Sequence, residues 1–148
     1  MSSSPQSIMN LPDAFSTEMK SDCKSPVINL MESQENVTEK GGTMRLGAWD
    51  CDLKLGSAVR DIYKAESIKE RHRHRYEFNS KYKTKMEAAG MLATGLNPDT
   101  GLVEIIELPS HPWFIGVQFH PEFKSRPFTP HPLFSSFIKA VYKNKGIN

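Results

Sequence analysis

Ile115-Gly116-Val117-Gln118-Phe119-His120-Pro121-Glu122-Phe123 is the stretch on which the reading of this chain turns. Its apolar start predicts a buried strand, and the strand ends in a histidine and a glutamate separated by one proline. In an extended chain, side chains at i and i+2 point to the same side. Pro121 fixes its own φ and biases His120 away from the helical region. The stretch therefore places an imidazole beside a carboxylate at a strand end, where open α/β sheets carry their active sites. Such a carboxylate holds one imidazole tautomer and stabilises the imidazolium, which is the base-and-orienter half of a nucleophilic triad. The plainer reading is a strand-end histidine with a surface glutamate next to it, and three residues alone do not separate the two.

Working outward, Met91–Leu96 and Leu102–Leu108 are apolar runs joined by Asn97-Pro98-Asp99-Thr100-Gly101, a strong turn signal, so residues 91–108 predict an antiparallel hairpin. Trp113–Phe119 reads as the central strand. A Pro-rich loop follows over 123–130. Residues 132–144 then predict a helix with Leu133, Phe134, Phe137, Ile138 and Val141 as its apolar stripe and a basic end at Lys143 and Lys145. Upstream, Gly41–Leu53 alternates as a strand entered through Gly41-Gly42. Met44, Leu46 and Ala48 lie on one face; Arg45, Gly47, Trp49, Cys51 and Leu53 lie on the other. Ser57 is placed to cap a helix running to Tyr63, with Ala58, Val59 and Ile62 on its buried face. Ser80 is placed to cap a second, over 81–89, closed by Gly90. Pro26–Leu30 is a short strand, and Leu11–Lys20 is a short helical turn or a loop. Residues 32–40 read as a solvated loop and 1–10 as disordered. Helices, a hairpin and a strand-end site together indicate an α/β fold.

Composition narrows the function. A chain of 148 residues suits one domain. A net charge of +2 is too small to argue for nucleic acid, and no apolar run approaches the ~20 residues of a membrane span. The N-terminus lacks the basic and apolar regions of a signal peptide, so the expected location is cytoplasmic. Cys23 and Cys51 fit a reducing compartment. Neither looks like a nucleophile. Cys23 sits in a polar loop, and Cys51 lies between Asp50 and Asp52, whose charges would raise its pKa.

Glu70-Arg71-His72-Arg73-His74-Arg75-Tyr76-Glu77 is the other chemistry-bearing stretch. As a strand it puts Arg71, Arg73 and Arg75 on one face and His72, His74 and Tyr76 on the other. The guanidiniums suit an anion, a substrate carboxylate or the acids of a neighbouring domain. A charged edge strand, a nucleic-acid contact and a two-histidine metal site are the competing readings, the second with balanced charge elsewhere and few interleaved aromatics and the third without a zinc-like third ligand.

Taken together, Gly41-Gly42-Thr43-Met44-Arg45-Leu46-Gly47, the Arg-His-Arg-His-Arg-Tyr-Glu run, Val103–Glu107, His111-Pro112-Trp113-Phe114 and Gln118–Pro127 resemble the C-terminal part of the CTP synthase family. The resemblance implies a class I glutamine amidotransferase-like, flavodoxin-like mixed sheet flanked by helices and incomplete at the N-terminus. It spans residues 11–142, with a dissimilar 1–10 and a tail at 143–148. In that family a Cys–His–Glu triad hydrolyses glutamine, and the ammonia aminates UTP that ATP has activated. By resemblance His120 is the general base and Glu122 orients it. Arg75 and Tyr76 match positions that hold glutamine, and Glu18 matches an acid for its α-ammonium. No metal ligand is implied in this chain, because ATP and Mg serve the synthase domain. The implied partners are glutamine and that synthase domain, with neither nucleic acid nor membrane, in an enzyme expected to be a homotetramer. The family's Gly-x-Cys-x-Gly elbow has no counterpart in this sequence. The expectation is a chain inactive alone, or alternatively a non-catalytic module that binds glutamine or docks on the synthase domain.

Overall fold

The structure, a computed structural model, describes residues 10–30 and 44–146. Among the described residues, eight strands form two sheets. β1 (Ala14–Ser16), β2 (Ser25–Leu30) and β5 (Tyr76–Phe78) make a three-stranded mixed sheet in the order β1-β2-β5, with β1 parallel and β5 antiparallel to β2. β3 (Arg45–Leu53), β4 (Ser67–His74), β6 (Leu92–Leu96), β7 (Val103–Glu107) and β8 (Ile115–Val117) make a five-stranded antiparallel sheet in the order β4-β3-β6-β7-β8. The helices among the described residues are α1 (Ala58–Tyr63), α2 (Lys83–Ala88) and α3 (Pro132–Asn144). This is the α/β class expected, with the strands divided between two sheets.

The local signals act as anticipated in several places. The β6–β7 hairpin turns over residues 97–101, where Asn97 Oδ1 accepts from the backbone N–H groups of Asp99 and Thr100. α1 is capped by Ser57, whose Oγ accepts from Arg60 N–H at 3.3 Å. A second acceptor adds to this cap: Glu107 on β7 accepts from the backbone N–H groups of Ala58 and Val59 at 3.1 and 3.0 Å. The core falls into two clusters. One joins Ala14, Val27 and Phe78 of the small sheet to Met86, Met91, Ala93 and Val103. The other joins Cys51, Leu53 and Ile105 to Val59 of α1, Leu133 of α3 and Phe119. The β6 backbone lies so close to its neighbours that a Cβ on Gly95 would sit 2.6 Å from Ile105 Cγ1 and 2.8 Å from Cys51 Sγ.

Five expectations are corrected. Leu11–Lys20 contains a strand, β1, because parallel pairing with β2 overrides a segment with little propensity of its own. Trp113–Phe119 is not a central strand. The strand itself covers only Ile115–Val117, at the sheet edge, with Gln118 N–H still donating to Glu104 O on β7 at 2.9 Å, while residues 108–114 close a turn through Leu108 N–H to Phe114 O and His111 N–H to Leu108 O. Ser80 does not cap the second helix. Asn79 accepts from Lys81 N–H and opens a 3-10 turn over Ser80–Tyr82, so α2 begins only at Lys83. Ala58 lies exposed on α1, leaving Val59 buried and Ile62 half-buried. The α3 stripe is only partly covered: Leu133 is buried, whereas Phe134, Phe137 and Ile138 are 41%, 46% and 50% exposed. The expectations for residues 1–9, for the loop at 32–40 and for the Gly41-Gly42 entry lie outside the described residues.

Candidate functional site

β8 carries the chain to Phe119, which is buried, and then to His120. The His120 backbone N–H donates to Arg71 O on β4 at 2.9 Å, which fixes the residue against that strand. Its Nδ1 lies 2.7 Å from Glu122 Oε1. The pair does not meet through the pleat of an extended strand. Pro121 starts a 3-10 turn over Pro121–Phe123, a position where its fixed φ and missing N–H cost nothing, and the turn folds Glu122 back onto the imidazole. The Phe123 ring stacks on His120 with centroids 5.0 Å apart.

The hydrogen bond from His120 holds the Glu122 carboxyl below the usual carboxylate range, so Glu122 is ionised at neutral pH. An ionised carboxylate only accepts, so Nδ1 carries the proton in this bond. In the neutral ring Nε2 is then the basic nitrogen. The pair is open to solvent, with the side chains of His120 and Glu122 36% and 56% exposed.

The glutamine-binding candidates gather at one end of the small sheet. Arg75 is the single residue between β4 and β5, where the chain leaves the large sheet for the small one. Tyr76 follows it and pairs with Leu30 near the end of β2. Glu18 lies in the turn leaving β1, whose last residue, Ser16, pairs with Ile28 of β2. Arg75 and Tyr76 are half-buried and Glu18 is exposed. Among the described residues no hydrogen bond or ion pair joins Glu18 to Arg75, or either to His120. Arg71, which holds His120, lies within β4, and Arg75 follows the last residue of that strand.

Both cysteines stand away from the pair. Cys51 is fully buried in the core and its thiol is pushed up to about 12, chiefly by burial and then by the Glu104 and Asp52 charges. The sequence-level reason, charge on Asp50 and Asp52, is thus secondary to burial. Cys23 Sγ approaches Phe15 O at 4.0 Å, and neither thiol contacts His120.

The basic strand splits as its alternation predicts only through His74, where β4 ends; Arg75 and Tyr76 beyond it are both half-buried. Arg71 and Arg73 are exposed and the histidine face turns inward. His72 Nδ1 lies 2.8 Å from His74 Nε2, so the two imidazoles bond to each other. Among the described residues no group of three or more His, Cys, Asp or Glu is arranged to hold a metal ion. Beneath them lies a cluster that the sequence reading missed. Arg45 is buried, with Nη1 3.3 Å from Glu77 Oε1 and Nη2 2.5 Å from Glu104 Oε1. Burial lowers His72 to about 3 and His74 to about 4, and the Arg45 charge adds to both. Burial also raises Glu104 to about 7, outweighing the opposing pull of Arg45. The available signal was Glu104 itself, an acid set inside the apolar run Val103–Ile106. A second buried group joins Glu70 to His131 Nε2 at 2.8 Å and to the Tyr63 hydroxyl at 3.0 Å.

An α/β scaffold with an imidazole–carboxylate pair at a strand end defines a class, and comparison with known proteins identifies it. The family model for glutamine amidotransferase class-I matches residues 15–140, and this chain belongs to that family. It is 61% identical over 139 residues to CTP synthase from Christiangramia forsetii, covering 94% of this chain and 26% of that protein. It is 61% identical over 136 residues to CTP synthase from Cytophaga hutchinsonii, covering 92% of this chain and 25% of that protein. The chain thus spans about a quarter of the length of the curated relatives it matches. Among solved structures it resembles the glutaminase domain of Trypanosoma brucei CTPS with bound acivicin. The TM-score is 0.84 at 35% identity, covering 93% of this chain and 54% of that one.

Proposed function

We propose that this chain is the base-bearing part of the glutaminase domain of a CTP synthase, and that it acts in glutamine hydrolysis. The observation that carries the reading is the 2.7 Å contact between His120 Nδ1 and Glu122 Oε1 at the end of β8. Glu122 fixes the tautomer, leaving Nε2 to take the proton of a thiol nucleophile and later return it to departing ammonia. Arg75 would receive the substrate α-carboxylate, with Tyr76 beside it, and Glu18 would meet the α-ammonium. The ammonia would serve an amination of UTP in the synthase part of the enzyme, where ATP and Mg act, and that part is the proposed protein partner.

Cys51 and Cys23 do not contact His120, so the nucleophile is expected from outside this sequence. Calorimetric titration of the chain with glutamine tests the reading. The expected result is saturable binding that Arg75→Ala abolishes, with no thiol-dependent turnover. No binding to the parent chain would overturn the assignment of the pocket, and robust turnover would overturn the assignment of the nucleophile.

A further inference from the structure

Arg45 lies on β3 of the large sheet and touches one carboxylate from each sheet, Glu104 on β7 and Glu77 on β5. Its guanidinium also lies 4.5 Å from the Trp49 ring, which fixes its plane. From this one group two lines of contact run to the two ends of the candidate site. Glu77 directly follows Tyr76 and Arg75, and its Oε1 is 3.9 Å from His74 Nδ1. Glu104 Oε2 is 3.7 Å from His72 Nε2, and the His72 ring packs edge-on against Phe119, next to His120, with centroids 5.9 Å apart.

The cluster is poorly built for stability. Arg45 Nε, Glu77 Oε2, Glu104 Oε2, His72 Nε2 and His74 Nδ1 are buried without hydrogen-bond partners. Well-packed apolar side chains in place of such a buried group are often as stable or more so, and the best-attested use of buried ionic groups is to fix one arrangement. We infer that Arg45, through Glu77 and Glu104, is a positioning residue that sets the spacing between the Arg75–Tyr76 arm and the His120–Glu122 pair. The identity of the ligand rests on the glutamine reading; the positioning does not.

Residue-resolved amide exchange and glutamine calorimetry on the full chain separate the two. Glu77→Gln keeps the shape of the side chain and removes its charge, so it guards against a variant that does not fold. In Arg45→Met and in Glu77→Gln, exchange at the Tyr76, Glu77 and His120 amides should rise about tenfold or more, with the α3 amides unchanged. Glutamine affinity should fall by about tenfold in the same variants. Arg45→Lys keeps the charge but loses the planar fork, and it should fail to restore affinity even where it restores thermal stability. Unchanged exchange at those amides, or parent affinity in Arg45→Lys, would overturn the inference. If the parent chain binds no glutamine, the pocket assignment fails and exchange alone decides the positioning.

Discussion

At His120 a single hydrogen bond sets the chemistry: Glu122 accepts from Nδ1 and leaves Nε2 as the basic nitrogen. The same bond depresses the Glu122 carboxyl, so His120→Ala should return its titration, followed by carboxyl NMR, toward the ordinary glutamate range. A depressed carboxylate adds stability above its unfolded pKa and loses it as pH falls through its folded pKa. That contribution is small here, because exposed pairs are screened by solvent. The pair was legible in the sequence because its two members are neighbours in the chain. Arg45 was not, because its acidic partners lie 32 and 59 residues away and meet it only once two sheets have formed. The turn geometry at Pro121 was also hidden, since proline suits a strand end and the start of a 3-10 turn equally well.

The elements divide by how local their causes are. α3 spans the residues its periodicity predicts, with His131 Nδ1 accepting from Leu133 N–H at its start. α1 has a visible cap in Ser57 and an invisible one in Glu107, which arrives from a strand 48 residues on. Ser57→Ala should cost about 1 kcal/mol in urea unfolding, the usual loss for a cap. Gly95→Ala should cost about 1–3 kcal/mol, because its Cβ would overlap Ile105 and Cys51 in a packed core. An unchanged urea midpoint in the Gly95 variant would show that β6 has more room than its contacts indicate. β1 and the short β8 were misread for one reason: pairing in each is set by neighbouring strands and turns rather than by residue type.

Over the whole molecule, the buried cluster writes itself into the dependence of stability on pH. His72 and His74 titrate lower in the fold than unfolded, so below about pH 6.5 the unfolded state binds more protons and stability falls with acid. Glu104 titrates higher in the fold, up to about 7, so between its ordinary range and that value it opposes the histidines. Burial raises Glu77 as well, so Glu104→Gln removes the Glu104 share of the opposition and leaves that of Glu77. Denaturant titrations from pH 4.5 to 7 should steepen by up to about 1.4 kcal/mol per pH unit, and an unchanged slope would place the Glu104 proton elsewhere.

The surface carries a second consequence. Phe134, Phe137, Ile138 and Tyr142 are 41% to 52% exposed along α3, and Trp113 stacks edge-on with Phe137 at 5.1 Å. β8 stands at the edge of its sheet. Such a face and edge favour association, so light scattering should show self-association and an apolar dye should bind. A dye-silent monomer with sharp cooperative unfolding would contradict this.

The claim that His120 and Glu122 serve glutamine hydrolysis is tested most directly by grafting. This chain would replace the matching segment of the Christiangramia forsetii CTP synthase, to which it is 61% identical. The graft should form CTP from glutamine, and His120→Ala should reduce that reaction by about a thousandfold or more while leaving the ammonia-driven reaction intact. A graft that forms CTP from ammonia but not from glutamine would be folded and would contradict the account.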